Sequence, residues 1–321
     1  MAARSSSILR RALLYVPASS PRMLTKSLGI ASDNITYDLE DSVTPSAKPQ
    51  ARAALRDHLT NHPSRSSSVS ELAVRINAVS SPYALDDLAA LAPLPNVDAV
   101  VLPKVNSASD LTFATDALRH LAPERHRDES GGNPIRIVAL IESARAIMDL
   151  REICAASPLL SGLIFAAEDF ALDLSLTRTP SLSEFLYARS AIVTAARAAG
   201  LPSTIDLVCT SYKGEEGLTR LEEECRNGKA MGFNGKQCIH PSQVDMVQRL
   251  FAPSDKEVEW AVRTTIADEK AAAAGRGAWT LDGAMIDAPV AGKARAIVDK
   301  ARKCGIDIDA LREKWKDQEP E

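Results

Sequence analysis

Short apolar segments of strand length alternate with stretches of helical periodicity along most of the chain. The apolar segments are rich in Val, Ile and Leu on both faces, which is typical of parallel strands buried on both sides of a sheet. We count eight of them, beginning at Ala12, Ile35, Leu72, Asp98, Ile135, Leu163, Thr204 and Gly235. Eight strand and helix units predict an α/β fold of the (β/α)8 TIM barrel type over residues 12–252.

The stretches between these segments are amphipathic, as helices that cover a barrel must be. Three of them begin at Ser109, Leu186 and Glu216, and Gly200 and Gly232 are C-cap signals. The alternative fold is an open, doubly wound sheet. Because no GxGxxG motif follows the first strand, the barrel is favoured.

A tail of residues 253–321 follows the predicted barrel. It contains a helix from about Ser254 to Ala274, the weakly periodic segment GRGAWTLDGAMIDAP, and a helix from Val290 to about Cys304. The aliphatic residues of the middle segment would be exposed unless another surface covered them. We therefore expect a C-terminal helical arm that either folds back on its own barrel or packs against a neighbouring subunit.

The charge balance narrows the class of partner. With a formal net charge of −4 and a pI near 5.8, the chain carries no basic field for nucleic acid or an anionic membrane surface. The five cysteines are scattered and never form a CxxC pair, which argues against disulfides and structural zinc. No apolar run approaches the roughly 18 residues of a transmembrane span. A small molecule is the expected partner of a soluble protein.

The first eleven residues, MAARSSSILRR, are basic and serine-rich, and no acidic residue precedes Asp33. Residues 1–11 are therefore interpreted as a flexible N-terminus or a short targeting segment. An intracellular location follows, either in the mitochondrial matrix or in the cytoplasm.

Two acidic residues stand where apolar strands give way to helical sequence: Glu142 after the fifth strand and Asp169 after the sixth. In a TIM barrel the C-terminal ends of the strands meet at one mouth, so these carboxylates can approach each other. A pair of hard oxygen ligands without histidine or cysteine favours Mg²⁺. The alternative is that each acid only charges the first turn of the following helix.

Arg75 is predicted to lie at the end of the third strand, where a guanidinium can bind a carboxylate or stabilise an enolate. The alternative is a structural ion pair with Asp38, Glu40 or Asp41 at the end of the second strand. His240, just before Pro241, is either an acid or base, or a structural residue. Further basic residues fall near strand ends and either meet phosphates or form a solvated surface: Arg22, Lys26, Lys104 and Lys236.

Motifs along nearly the whole chain resemble those of the citrate lyase β-subunit-like proteins of the HpcH/HpaI aldolase superfamily. They include ALLYVPASSPRML, YDLEDSV, VRINAVSSPYALDDL, VVLPKV, ALIESARAI, FAAEDFALDL, MGFNGKQCIHPSQV and DGAMIDAP. The resemblance implies a carbon–carbon lyase that cleaves a 3-hydroxyacyl-CoA, with citramalyl-CoA giving acetyl-CoA and pyruvate. Malyl-CoA or methylmalyl-CoA cleavage, malate synthase with thioesterase activity, and cleavage of a carrier-bound thioester by a citrate lyase β subunit are the alternatives.

The same resemblance implies a role for particular residues. Mg²⁺ is expected on Glu142 and Asp169, and Arg75 is expected to act on the substrate. Asp287, in the MIDAP motif, is expected to reach the active site of an adjacent subunit in a homotrimer or an assembly of trimers. Substrate is also expected at Ala167, Glu168 and Asp169, and coenzyme A near Arg22, Lys26, His240 and Pro241.

Three positions depart from the family pattern. Ala18 and Ala166 replace glycines, and Ser211 replaces an acid in the loop after the seventh strand. These changes spare the carboxylate pair and Arg75, but they bear on which acyl group is accepted.

Overall fold

The computed structural model describes residues 8–127 and 133–321, which form two compact units. The first unit ends at Phe251 and the second begins at Ala252. The predicted N-terminal or targeting segment lies outside the described residues as far as residue 7. Two residues assigned to it by the sequence, Arg10 and Arg11, instead belong to the first unit. Arg10 is buried and Arg11 forms an ion pair with Asp33.

Eight parallel strands form the first unit: β1 (Ala12–Pro17), β2 (Asn34–Asp38), β3 (Glu71–Arg75), β4 (Ala99–Leu102), β5 (Arg136–Ile141), β6 (Leu160–Phe165), β7 (Ser203–Asp206) and β8 (Gly235–Cys238). Each strand pairs with the next in chain order, and β1 also pairs with β8, which closes the barrel. All eight predicted strands are therefore confirmed. The closed ring excludes the open, doubly wound sheet.

Apolar side chains fill both sides of this barrel wall. An inner cluster is formed by residues that point to the barrel axis: Leu13, Ala73, Ala99, Val101, Val138, Leu140, Ile164 and Ile205. A larger cluster joins the outer face of the strands to the helices. Because both faces are buried, the strands read as continuous apolar segments in the sequence.

The helices of the first unit are α1 (Pro21–Ser27), α2 (Lys48–Asn61), α3 (Ala84–Leu91), α4 (Ala108–Leu121), α5 (Pro123–His126), α6 (Ala144–Met148), α7 (Leu150–Ala155), α8 (Ala167–Leu174), α9 (Leu186–Ala198), α10 (Gly214–Ala230) and α11 (Val244–Phe251). The three helices predicted from Ser109, Leu186 and Glu216 are α4, α9 and α10. Gly200 and Gly232 follow α9 and α10 with φ of 65° and 97°, the left-handed conformation expected of C-cap glycines.

A buried polar cluster lies at the end of the barrel where the strands begin. The guanidinium of Arg10 donates to both oxygens of Glu71, at 2.6 and 2.7 Å, and to the hydroxyl of Ser203 at 2.8 Å. Burial alone would raise the pKa of Glu71, but the adjacent Arg10 holds it below its ordinary value. Arg10 therefore ties β3 to β7 from inside the barrel.

The second unit consists of α12 (Asp255–Ala273), β9 (Trp279–Leu281), β10 (Ala284–Ile286), α13 (Ala288–Lys303) and α14 (Ile308–Lys314). The segment interpreted as weakly periodic is an antiparallel hairpin of β9 and β10. Its turn residues Asp282 and Gly283 have φ of 49° and 78°, as in a type I′ turn.

Helices of the second unit cover most apolar residues of the hairpin, so the expectation that these residues need the barrel or a neighbouring subunit to cover them was wrong for most of the segment. Trp279, Leu281 and Ile286 are buried in a cluster with small residues of α12 and α13. Met285, on the opposite face of β10, is 67% exposed.

None of the helices in the described part of the chain has the length and apolar character needed to cross a membrane.

Candidate active site

A cavity of about 420 Å³ lies at the C-terminal ends of the barrel strands. Its walls include Tyr15 of β1, Asp38 of β2, Arg75 of β3 and Gln237 of β8, together with residues 166–169 at the start of α8. This is the mouth at which TIM barrels carry their active sites. The strand ends thus bring together residues that are far apart in the sequence.

Arg75 is held at this mouth by acidic residues of the second strand and its following loop. Its Nε and Nη2 donate to Asp38 Oδ1 and Oδ2 at 2.7 and 2.8 Å, a bidentate ion pair. Its Nη1 has the longest contacts, 3.3 Å to Glu40 and 3.4 Å to Asp41. The ion pair that the sequence left open is therefore present, and Nη1 is the nitrogen with the weakest contacts to the protein.

The electrostatics of Asp38 follow from this fork. Burial would raise the pKa of Asp38, but the hydrogen bonds and charge of Arg75 hold it below its ordinary value. Asp38 is therefore charged at neutral pH and fixes one edge of the guanidinium.

The predicted carboxylate pair lies at the ends of β5 and β6. Asp169, in the first turn of α8, lines the cavity, and Glu142 follows β5 and is 6% exposed. Burial raises the pKa of Glu142 to about 7, and the charge of Asp169 adds to the shift. The structure thus brings the two carboxylates close enough to interact, and an interposed cation would relieve this repulsion.

The donor set fits magnesium rather than zinc. Within residues 8–127 and 133–321, no group of three or more His, Cys, Asp or Glu side chains is arranged for a metal. Two carboxylates with room for water and substrate oxygens are the usual protein contribution to a Mg²⁺ site. Glu142 is already oriented, because its Oε1 accepts a hydrogen bond from the Lys104 backbone N–H at 3.1 Å.

Lys104 was considered only as a phosphate-binding or surface residue, but it contacts two parts of the mouth. Its backbone has a φ of 52°, in the left-handed region, and this turn directs its N–H to Glu142. Its side chain forms an ion pair with Glu40. Together with Arg75, Lys104 balances the acidic residues Glu40 and Asp41 that follow β2.

Residues 167–169, predicted to bind substrate, all line the cavity. Ala167 begins α8, so the backbone N–H groups of the first turn lie at this wall. Glu168 is paired with Arg178, which also donates to Glu224 at 2.8 Å. Arg178 was not found in the sequence because it lies in the loop after α8, away from any strand end.

Four residues predicted to bind coenzyme A are not among the side chains that line the cavity. Arg22 and Lys26 lie on α1, directly after β1. The His240 ring stacks on Tyr212 with centroids 4.9 Å apart, and its Nδ1 accepts from the Ser242 N–H at 3.2 Å. Pro241 begins the short 3-10 turn that His240 caps. The contacts of His240 described in the structure are those of a capping residue.

The remaining predicted positions are Asp287 and the three residues that depart from the family pattern. Asp287 belongs to the second unit, where it is the N-cap of α13 and its Oδ1 accepts from the Val290 N–H at 3.1 Å. Of the three departures from the family pattern, Ala166 lines the cavity, Ala18 is buried, and Ser211 is exposed.

Arg75 and the carboxylate pair at the mouth of a TIM barrel have the arrangement of an enzyme active site. The chain belongs to the HpcH/HpaI aldolase/citrate lyase family, whose profile matches residues 11–241. A second profile, described as a C–C bond lyase of the TIM-barrel fold, matches residues 184–306. The protein is thus a carbon–carbon lyase.

Individual relatives extend over nearly the whole chain. The citrate lyase subunit beta of Haemophilus influenzae is 37% identical over 298 residues, 93% of this chain and 98% of that protein. The mitochondrial citramalyl-CoA lyase of Homo sapiens is 32% identical over 305 residues, 92% of this chain and 86% of that protein.

A solved structure is similar at the level of the fold as well. It is the protein CitE of Mycobacterium tuberculosis in complex with magnesium, acetoacetate and coenzyme A. The two chains share 32% identity with a TM-score of 0.71, over 92% of this chain and 100% of CitE.

Proposed function

We propose that this protein cleaves a 3-hydroxyacyl-CoA, with citramalyl-CoA as its substrate and acetyl-CoA and pyruvate as its products. The observation that carries the proposal is that Arg75 and Asp169 line the same cavity at the barrel mouth. The citramalyl-CoA lyase relative and the coenzyme A bound to CitE support a thioester substrate.

Glu142 and Asp169 are the residues that would hold a magnesium ion, because carboxylate oxygens are the hard donors that magnesium prefers. When bound, magnesium supplies Lewis acid chemistry by polarising the carboxylate and hydroxyl oxygens of the substrate. The magnesium in the CitE complex supports this assignment.

The reaction breaks the bond between the carbon that carries the hydroxyl group and the carbon next to the thioester. The hydroxyl proton passes to solvent as the C–O bond becomes the keto group of pyruvate, and the electron pair of the broken bond leaves with the thioester fragment as an enolate. The proton that the enolate later gains balances the one released. Arg75 would stabilise the negative charge on the enolate oxygen through Nη1, while its other nitrogens stay on Asp38.

The enolate carbon must gain a proton to give acetyl-CoA. We assign this proton transfer to Asp287, whose carboxyl group caps α13 in the second unit. As the family resemblance implies, Asp287 would serve the active site of an adjacent subunit in a homotrimer. Coenzyme A would extend past Arg22 and Lys26 on one side and the loop of His240 and Pro241 on the other.

A second candidate is a citrate lyase β subunit that acts on a thioester carried by an acyl carrier protein. The 37% identity to the Haemophilus influenzae subunit favours it. The 32% identity to the citramalyl-CoA lyase of Homo sapiens favours the independent enzyme.

The test compares substrates with one purified protein and magnesium. Citramalyl-CoA, malyl-CoA, methylmalyl-CoA and a citryl thioester on an acyl carrier protein are offered separately, and the products are identified by mass spectrometry. The proposal predicts the highest kcat/KM with citramalyl-CoA and equal amounts of acetyl-CoA and pyruvate. Preference for the carrier-bound thioester would establish the second candidate, and release of free coenzyme A would indicate a thioesterase.

A further inference from the structure

The Arg75 guanidinium lies over an aromatic ring. Its Cζ lies 4.6 Å from the centre of the Tyr15 ring, within the range of a cation–π contact. The Arg75 side chain is 12% exposed, so this contact is shielded from water on most sides. Arg75 is therefore held along one edge by Asp38, and its central carbon lies over the ring of Tyr15.

These two contacts restrict different motions. The fork with Asp38 uses Nε and Nη2, and a tilt of the guanidinium about that edge is opposed at Nη1 by the longer contacts to Glu40 and Asp41. Such a tilt moves Nη1 most, because Nη1 is the nitrogen outside the fork. The Tyr15 ring, over which Cζ lies, opposes a tilt toward its own side.

Tyr15 is itself fixed by a hydrogen bond to Gln237. Gln237 Nε2 donates to the carbonyl oxygens of Phe165 and Asp206 at 2.9 and 3.0 Å, which settles the orientation of the amide. Its Oε1 therefore accepts from the Tyr15 hydroxyl at 3.1 Å. Burial raises the pKa of Tyr15, so the hydroxyl keeps the proton that it donates.

We propose that Tyr15 is a positioning residue that orients Nη1 of Arg75 toward the cavity through the contact of its ring. This inference rests on the proposed function, because it assumes that Arg75 Nη1 meets the reacting thioester fragment. The ring, rather than the hydroxyl group, carries the role, and Gln237 keeps the ring in place.

Three variants separate this role from a purely structural one. Tyr15→Leu removes the ring, and Tyr15→Phe keeps it while removing the hydrogen bond to Gln237. The matched control is Tyr37→Leu, which deletes a ring that is 2% exposed on the neighbouring strand β2 and lies outside the cavity lining. Each purified variant is compared with the wild type in kcat, KM and melting temperature.

Tyr15→Leu is expected to lower kcat about tenfold or more with little change in KM, since the lost contact acts in the transition state. Tyr15→Phe should retain most of the wild-type kcat. Tyr37→Leu should lower the melting temperature but leave kcat close to that of the wild type. Equal kcat in Tyr15→Leu and the wild type would overturn the proposal. So would a loss of kcat in Tyr37→Leu that matches that of Tyr15→Leu.

A crystal structure of Tyr15→Leu shows the position of Arg75, and this measurement does not depend on which substrate the enzyme uses. A displaced guanidinium or several conformers of Arg75 would support the positioning role even if the wild type proved inactive toward acyl-CoA, an outcome that would remove only the proposed function. A single, unmoved Arg75 in Tyr15→Leu would overturn the inference.

Discussion

The chemistry attributed to Arg75 depends on the different partners of its three guanidinium nitrogens. Two of them are occupied by the carboxylate of Asp38, and the third has contacts of 3.3 and 3.4 Å with Glu40 and Asp41. An ammonium group cannot hold Asp38 in two places and still present a donor to the substrate. The planar fork is therefore what the proposed reaction requires at this position.

Arg75→Lys is expected to fail almost as completely as Arg75→Ala. The loss in kcat should be on the order of 10²-fold or more, which is typical for removal of one charge-stabilising donor. Steady-state kinetics with citramalyl-CoA measures it, and circular dichroism checks that the barrel remains folded. A lysine variant with nearly the wild-type rate would leave Arg75 with only its ion pair.

Among single residues, the sequence predicted the candidate site residues that lie at the C-terminal ends of strands. Arg75, Glu142 and Asp169 were identified because each terminates an apolar segment. Tyr15 was missed because an aromatic residue within a strand reads as core. Lys104 was misjudged because its left-handed backbone, which turns its N–H to Glu142, has no signature in the sequence.

At the scale of elements, the eight barrel strands were predictable because burial on both faces produces long apolar segments. The β9 and β10 hairpin was not recognised, since each of its strands has only three residues and no period can be read from them. The Asp282 and Gly283 pair was the available signal, as Asp-Gly is a preferred type I′ turn. Arg10 was assigned to a flexible leader because its buried partner, Glu71, lies 61 residues away.

Barrel closure between β1 and β8 depends on the absence of a side chain at Gly235. A Cβ atom there would lie 2.0 Å from the carbonyl oxygen of Arg10 and 2.5 Å from that of Arg11, both backbone atoms. Gly235→Ala is therefore expected to cost about 3 kcal/mol or more in unfolding free energy, at the upper end of overpacking effects.

The matched control for that variant is Gly292→Ala in α13. Nothing lies within 4 Å of a Cβ at this position, and alanine in a helix interior is expected to stabilise by about 0.5–1 kcal/mol. Urea unfolding of both variants gives the comparison. Equal stability of Gly235→Ala and the wild type would show that the junction of β1 and β8 yields to a methyl group.

The buried pair of Arg10 and Glu71 should make stability depend on pH. The folded-state pKa of Glu71 lies below its ordinary value, so its contribution is complete above the unfolded pKa of about 4.3 and is lost as pH falls through the folded pKa. Glu71→Gln leaves Arg10 buried without a counter-charge and is expected to cost about 3–5 kcal/mol near pH 7.

The difference in unfolding free energy between Glu71→Gln and the wild type should become smaller as pH is lowered below about 4, because the wild-type carboxyl group then loses its charge as well. Denaturant unfolding at several pH values measures it. Glu222→Gln, which removes a partly exposed pair with Arg226 on α10, serves as a control and should change stability by less than about 1 kcal/mol. A difference in unfolding free energy between Glu71→Gln and the wild type that stays constant down to pH 3 would contradict the assigned ion pair.

At the scale of the whole molecule, the proposed exchange of Asp287 between subunits is open to complementation. Homogeneous Asp287→Asn and homogeneous Glu142→Ala proteins are both expected to be inactive. If Asp287 acts in an adjacent subunit, random co-assembly of the two variants should restore activity in roughly a quarter of the sites. Mixed oligomers, verified by native mass spectrometry, that are no more active than the parents would confine Asp287 to its own chain.

The proposed cleavage of a carbon–carbon bond at the barrel mouth requires Arg75 and a metal held by Glu142 and Asp169. The most direct measurement is cleavage of citramalyl-CoA by the wild type with magnesium, with a chelator, and by Glu142→Gln, following acetyl-CoA and pyruvate together by mass spectrometry. The wild type with magnesium should form both products in equal amounts, and the other two samples should form neither. Undiminished turnover in the chelated sample or in Glu142→Gln would contradict the claim.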